Sequence, residues 1–242
     1  MSTLLVINPN TTVAVTEALV RHVQAELGGD VAVHGVTAAF GASYIATEVG
    51  YAVAAHATLD AYARFVAANG MPDAVLIGCF GDPGLFALRT ACPVPVSGLA
   101  QAAFHEARRQ GQFAIVTGGD AWGPMLRRHA QALGCDDELA GIVTVAPSGA
   151  ALAADPARAR ALLAAACHDA AARSGARSVI LGGAGLAGIA AEIADRIDVP
   201  VIDSVRAGAR QALRGQAPPV PQPETAAFSA LSPALQALLA ER

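Results

Sequence analysis

The chain has 242 residues, 54% of them apolar and 15% charged, which is enough apolar surface for one large core or two small ones and too little charge for a disordered chain. A net charge of −4 and an aromatic content of 5% argue against a basic nucleic-acid footprint and against base-stacking platforms. No run reaches the ~18–20 uninterrupted apolar residues of a membrane span.

Met1-Ser2-Thr3 leads straight into an apolar run without a basic leader, so a secretory signal is not expected and a cytoplasmic location is. In chain order, strands are predicted at Leu4–Ile7 and Val31–Gly35, with a helix over Thr12–Leu27 between them. A long helix over Val49–Asn69 precedes strands at Ala74–Ile77 and Val94–Val96. Helix Ala100–Gln110 leads to strand Phe113–Val116, and helix Trp122–Leu133 to strand Gly141–Val145. Helix Pro156–Ser174 leads to strand Ser178–Leu181. Helix Leu186–Arg196 precedes strand Val199–Ile202, and helix Ser204–Leu213 closes the series. Short β-branched runs alternating with alanine-rich helices are the pattern of parallel βαβ units, and strands this continuously apolar expect helices on both faces. Gly215–Pro223, with Pro218, Pro219, Pro221 and Pro223, predicts a stiff linker, and residues 229–240 a last helix.

The pattern occurs twice. Ala74-Val-Leu-Ile-Gly-Cys79-Phe-Gly81 is echoed by Ser178-Val-Ile-Leu-Gly-Gly183-Ala-Gly185, and Val94-Pro-Val-Ser-Gly98 by Val199-Pro-Val-Ile-Asp203. Cys79 and Gly183 are 104 positions apart, and Pro95 and Pro200 are 105 apart. A near-constant spacing predicts a duplicated α/β unit: one subdomain over 1–98, a second over 99–205, and a tail over 206–242 packing on the first. If the units face each other, two glycine-rich turns meet at one cleft, and only one of them carries a thiol.

Cys79 lies in Gly78-Cys-Phe-Gly-Asp-Pro-Gly84, a turn at the carboxyl end of a predicted strand. A thiol there, near a helix N-terminus, is expected to have a lowered pKa and to act as acid, base or nucleophile. Cys92, Cys135 and Cys167 lack that context and read as core residues. The four cysteines form no C-x-x-C pair, which suits a reducing compartment and neither a disulfide framework nor a zinc site.

Asn8-Pro-Asn10-Thr11-Thr12 ends the first strand. Asn10 and Thr11 read as helix N-caps, with Asn10 also a donor to a substrate oxygen. Thr117 and Gly118 end the matching strand of the second half and are expected at the substrate, with Thr117 holding one of its oxygens. Ser43, Tyr44 and Ile45 occupy a strand-to-helix loop and are expected on the pocket wall. Gly183, Gly185 and Gly188 have G-x-G-x-x-G spacing without the context of a dinucleotide site, and no P-loop is present, so no cofactor is expected. The six histidines have no metal-ligand spacing, and no metal is expected.

Taken together, Ile7-Asn-Pro-Asn-Thr-Thr12, Gly78-Cys-Phe-Gly-Asp-Pro-Gly84, Val94-Pro-Val-Ser-Gly98, Val179–Gly185 and Val199-Pro-Val-Ile-Asp203 resemble the aspartate/glutamate/hydantoin racemase superfamily, on its hydantoin and allantoin racemase branch. The resemblance implies two similar parallel-sheet, flavodoxin-like subdomains related by a pseudo-twofold, with a cofactor-independent active site between them. It also implies a small carbonyl or carboxylate substrate and a homo-oligomer, with no nucleic-acid or membrane partner. One thiolate would take the proton next to a carbonyl, and an opposite thiol would return one to the other face. By that resemblance Cys79 is the first catalytic cysteine and position 183 the second, and position 183 is Gly183. Phe80, Gly81, Ala184 and Gly185 would hold substrate oxygens through their amides.

Glycine has no proton to give, so chemistry on one face survives and two-base inversion is compromised. Three readings remain open. The first is a racemase-like enzyme acting on a hydantoin- or allantoin-type carbon acid through Cys79. The second is a single-cysteine decarboxylase or lyase of malonate-type substrates. The third is an impaired or engineered variant that binds ligand without turnover. A cysteine restored at 183 is expected to raise two-sided activity.

Overall fold

The computed structural model describes residues 1–145, 155–214 and 228–240. Strands β1 (Ser2–Asn8), β2 (Val31–Thr37), β3 (Ala74–Ile77) and β4 (Val96–Gly98) form one parallel sheet in the order β2-β1-β3-β4. Strands β5 (Phe113–Gly118), β6 (Leu139–Val145), β7 (Ser178–Gly182) and β8 (Val201–Asp203) form a second in the order β6-β5-β7-β8. The two sheets repeat one winding. In each, the strand order reverses between the first and third strands, and doubly wound sheets bind ligands beyond the carboxyl ends of the strands at that point.

Among the described residues, side-chain alternation along each strand divides the interior into three cores. Leu4, Val6 and Leu76 of the first sheet and Phe113, Ile115 and Ile180 of the second point into one shared core between the sheets. Leu5, Ile7, Val75 and Ile77 point outward, under α2 (Glu48–Asn69) and α3 (Leu85–Ala91). Ala114, Val116, Val179 and Leu181 point outward under α6 (Pro156–Ser174) and α7 (Ile189–Ile193).

The shared core is filled by α1 (Val13–Leu27), α4 (Leu99–Ala107), α5 (Trp122–Ala132) and α8 (Ser204–Ala212). Helix α8 follows the second sheet in sequence and also packs on the first: a Cβ at Gly208 would lie 2.8 Å from Leu99 Cδ2 and 3.1 Å from Leu76 Cδ1. Arg206 and Arg210 of α8 pair with Glu26 of α1, and Arg210 also pairs with Glu106 of α4. Helix α9 (Pro233–Ala240) packs on α2, with Leu235 buried.

Several elements depart from the sequence reading, each for a local reason. The strands expected at Val94 and Val199 begin at Val96 and Val201, because Pro95 and Pro200 have no N–H for the ladder and offer only carbonyls, to the amides of Val75 and Val179. The helix expected over Leu186–Arg196 is broken into 3₁₀ turns at Ala184–Leu186 and Ala194–Arg196 flanking α7, since Gly188 stands at φ +86°. Helix α3 was not foreseen. It starts at Leu85, directly after Gly84 at φ +85°, where a Cβ would meet the Ala55 carbonyl at 2.9 Å. The proline-rich stretch Gly215–Pro223 lies outside the described residues.

Candidate active site

The carboxyl ends of β1 and β3 face those of β5 and β7 across a cavity of about 130 Å³. It brings together Asn10, Tyr44, Ile45, Cys79 and Phe80 from the first half with Thr117, Gly118, Gly183, Ala184 and Gly185 from the second. Ser43 is exposed and stands outside the lining, where its carbonyl accepts from Thr12 Oγ1 at 2.8 Å. Gly81 is also outside the lining. It is turned toward Tyr51, whose hydroxyl donates to its carbonyl at 2.8 Å.

The sequence reading missed Val15, Gly78, Trp122, Gly182 and Leu186 on the lining. Gly78 and Gly182 were legible, because each precedes a turn already singled out. Trp122 was not. Thr117-Gly-Gly-Asp120 reads as an ordinary turn, and only the fold shows the indole of the next helix closing over the cavity.

Asn8 is the hub of the first strand's end. Its Nδ2 donates to Asn10 Oδ1 (3.1 Å), the Thr12 carbonyl (3.1 Å) and Thr16 Oγ1 (3.0 Å), and its Oδ1 accepts from the Asn10 amide (3.2 Å). Asn10 Oδ1 also accepts from the Thr12 amide at 2.9 Å. The carbonyl end of Asn10 is thus committed, while its Nδ2 has no acceptor among the described residues. The N-cap of α1 is Thr12, not Asn10 or Thr11, and it makes no side-chain cap bond. Thr117 Oγ1 donates to the Gly182 carbonyl at 2.7 Å, so this hydroxyl fixes the opposite turn and is not free to bind a substrate oxygen.

The two turns differ in more than a thiol. Gly183 stands at φ +146°, a region L side chains rarely adopt, while Cys79 has no positive φ. A Cβ at Gly183 would clear Leu186 Cγ by 3.4 Å, so space is available and the backbone is the obstacle. The Gly183 amide donates to buried Ser204 Oγ at 3.2 Å. Ala184 and Gly185 open a helical turn, and the first N–H groups of such a turn have no partner within it.

Burial, followed by the nearby Asp82 carboxylate, pushes the Cys79 thiol up. This reverses the expectation of a lowered pKa. A helix N-terminus is indeed nearby, at α4, but Asp82 occupies it: Asp82 Oδ1 and Oδ2 accept from the amides of Ala100 (2.9 Å) and Gln101 (2.7 Å). The thiol therefore meets a buried negative charge in place of a helix dipole.

Among the described residues no side chain on the cavity lining is charged. Among the described residues no group of three His, Cys, Asp or Glu side chains is placed to hold a metal, and no helix is long and apolar enough to cross a membrane.

Two similar parallel sheets that close their switch points on one cavity define the two-domain racemase fold. The chain belongs to the Asp/Glu/hydantoin racemase family, whose sequence profile matches residues 4–212. It is 33% identical over 214 residues to a hydantoin racemase from Paenarthrobacter aurescens, covering 86% of this chain and 89% of that protein. Its fold is similar to an allantoin racemase from Klebsiella pneumoniae, with TM-score 0.87 and 28% identity over 98% of this chain and 99% of that one. An allantoin racemase from Pseudomonas fluorescens gives TM-score 0.85 and 27% identity over 93% and 100%. These relatives group the chain with the hydantoin and allantoin racemase branch.

Proposed function

We propose that the chain acts on a neutral carbon acid of the hydantoin or allantoin type and moves a proton on one face only, through Cys79. The observation that carries this reading is the asymmetry of the cavity: a thiol on one wall, a glycine on the other, and, among the described residues, no charged side chain between them. An uncharged lining suits a neutral cyclic ureide better than a free amino acid or a malonate dianion, which would need fixed counter-charges on desolvation.

The Cys79 sulfur, as thiolate, takes the proton from the carbon next to the carbonyl. The electron pair moves onto the carbonyl oxygen, and Asn10 Nδ2 and the amides of Ala184 and Gly185, residues on the cavity lining, would receive the charge. The same S–H then returns a proton to the same face. Exchange with solvent through the thiol gives retention, and inversion is slow because Gly183 offers no donor.

The test is one enantiomer of a 5-substituted hydantoin, and separately of allantoin, incubated in D₂O. Loss of the α-proton signal is followed by NMR and enantiomeric purity by chiral chromatography. Exchange that outruns loss of purity, and that falls about 10²–10⁴-fold in Cys79→Ser, is the expected result. No exchange with either compound, or exchange unaffected in Cys79→Ser, sinks the reading.

The raised thiol supports a second reading. A sulfur held protonated is a natural acid toward the carbanion left when a malonate loses carbon dioxide. The C–C pair stays on the enolate, the thiol protonates carbon, and water reprotonates the sulfur. Release of carbon dioxide from a substituted malonate, with a single product enantiomer, would move the assignment to this reaction.

A further inference from the structure

We infer that His129 is a positioning residue for Cys79, acting from the opposite half of the molecule through Asp82. The inference rests on the reading of Cys79 as the reacting group and extends it to a residue outside the cavity.

Asp82 lies three residues beyond Cys79. It is 1% exposed and stands at φ +53°, a backbone region that costs energy for a non-glycine residue and persists only where the surroundings over-determine it. The surroundings here are explicit. The Asp82 amide donates to the Cys79 carbonyl at 3.0 Å, closing the thiol's own turn. Its carboxylate receives the first amides of α4 and, on Oδ2, His129 Nε2 at 3.0 Å. Capping α4 needs only the two amides. The third donor comes from α5 in the second half, and among the described residues it is the one side-chain donor on Asp82.

His129 is itself 5% exposed and packs against the rings of Phe86 and Phe104, with centroids at 6.3 and 6.2 Å. Phe104 meets Phe80 at 6.1 Å, and the Phe80 ring occupies the place a Cβ on Gly182 would need. The imidazole thus reaches the thiol turn along a hydrogen bond and along a row of packed rings, and both routes cross between the halves.

Among the described residues, the other charged and titratable groups near this carboxylate place no side-chain hydrogen bond on it, and Arg89 acts on it through its charge alone. Arg89 on α3 donates to the Val96 carbonyl at 3.0 and 2.8 Å and to Gln101 Oε1 at 2.8 Å. Tyr51 on α2 donates to Gly81, and Arg128 on α5 pairs with Glu48. The Asp82 charge opposes a thiolate on Cys79, and the His129 donor disperses that charge. Removing the donor and removing the carboxylate should therefore act in opposite directions. That distinguishes an electrostatic positioning role from plain packing, since loosening the core would expose the sulfur in either variant.

The experiment is the pH profile of Cys79 alkylation by iodoacetamide, read on the Cys79 peptide by mass spectrometry. His129→Leu should shift the profile upward by about one pH unit, which is about tenfold slower alkylation at a fixed pH below the midpoint. Asp82→Asn, which tolerates the left-handed backbone and retains an acceptor oxygen, should shift it downward. His129→Gln, which keeps a donor, should return the rate to within about twofold of the native chain, well inside a one-unit shift. In the exchange assay kcat should follow the same order with KM unchanged. His129→Leu and Asp82→Asn moving the same way, or neither moving, overturns the inference. If His129→Leu does not fold, Asp82→Asn decides, and no downward shift overturns it. The alkylation needs no substrate, so failure of the native chain to exchange any carbon acid would sink the proposed reaction separately.

Discussion

A Cβ built on Gly98 would fall inside the carboxylate of Asp82, so the glycine that ends β4 exists in the space its partner requires. The second half solves the same problem with the roles exchanged. Asp203, at the end of β8, caps its own helix through the amides of Val205 (2.8 Å) and Arg206 (3.2 Å) and receives the amide of Gly188 at 2.7 Å. In each half one carboxylate joins the turn after the third strand to the helix after the fourth. In the first half it comes from the turn, and in the second from the strand.

Gly98→Ala should therefore displace Asp82 from α4 and cost about 1–3 kcal/mol by overpacking. Asp203→Ala should cost about 1–2 kcal/mol as a lost cap. Urea denaturation measures both. A stable Gly98→Ala chain with unchanged Cys79 alkylation would contradict the coupling between them.

Gly183→Cys should not behave as a simple restoration. The side chain fits, but φ +146° at this position is outside the comfortable range of an L residue. A cost of about 1–3 kcal/mol is expected in denaturant melts. Interconversion of hydantoin enantiomers should not exceed that of the native chain until the turn at 182–185 is itself re-formed. Fast racemisation at undiminished stability would show that the turn readily changes its backbone.

Thr117→Val should act on stability before it acts on binding. It leaves the Gly182 carbonyl without its 2.7 Å donor in a buried place, at a cost of about 1–3 kcal/mol. In steady-state kinetics the drop should fall in kcat more than in KM, because the residue holds the wall and not the substrate.

Acid should weaken the junction of α1 and α8. Burial acts to raise the Glu26 carboxyl, but the hydrogen bonds from Arg206 (2.6 Å) and Arg210 (2.7 Å) outweigh it and hold the group below its ordinary range. A carboxyl lowered in the folded state contributes stability above its unfolded pKa of about 4.3, and that contribution is lost as pH falls through the folded value. Glu26→Gln should then cost about 1 kcal/mol near neutrality, and the difference from the native chain should close toward pH 3. Paired urea melts at pH 7 and pH 3 check the sign.

Much of the fold was legible because the strands are nearly pure apolar runs and the helices are alanine-rich, so Ala74–Ile77 and Pro156–Ser174 fall where the pattern puts them. The errors occur where a backbone conformation, not a periodicity, decides. Gly188 breaks a helix the pattern continues, and Gly84 starts one the loop-like composition hides. At the site, Cys79 and Gly183 were found by comparing the two repeats. Its position in a strand-to-helix loop puts Ser43 on the wall, but the residue is exposed and lies outside the lining.

The sequence by itself determined the duplicated parallel architecture, the single thiol and the bare glycine opposite it, because these depend on residue type and on spacing along the chain. The tertiary structure decided that this thiol is pushed up, by burial first and then by Asp82, which takes the nearby helix N-terminus. It also decided that His129, 47 residues beyond Asp82 and in the other half, shares its carboxylate. Electric fields and hydrogen bonds act through distance in space, and no local pattern in the chain records which distant residues folding brings within 3 Å.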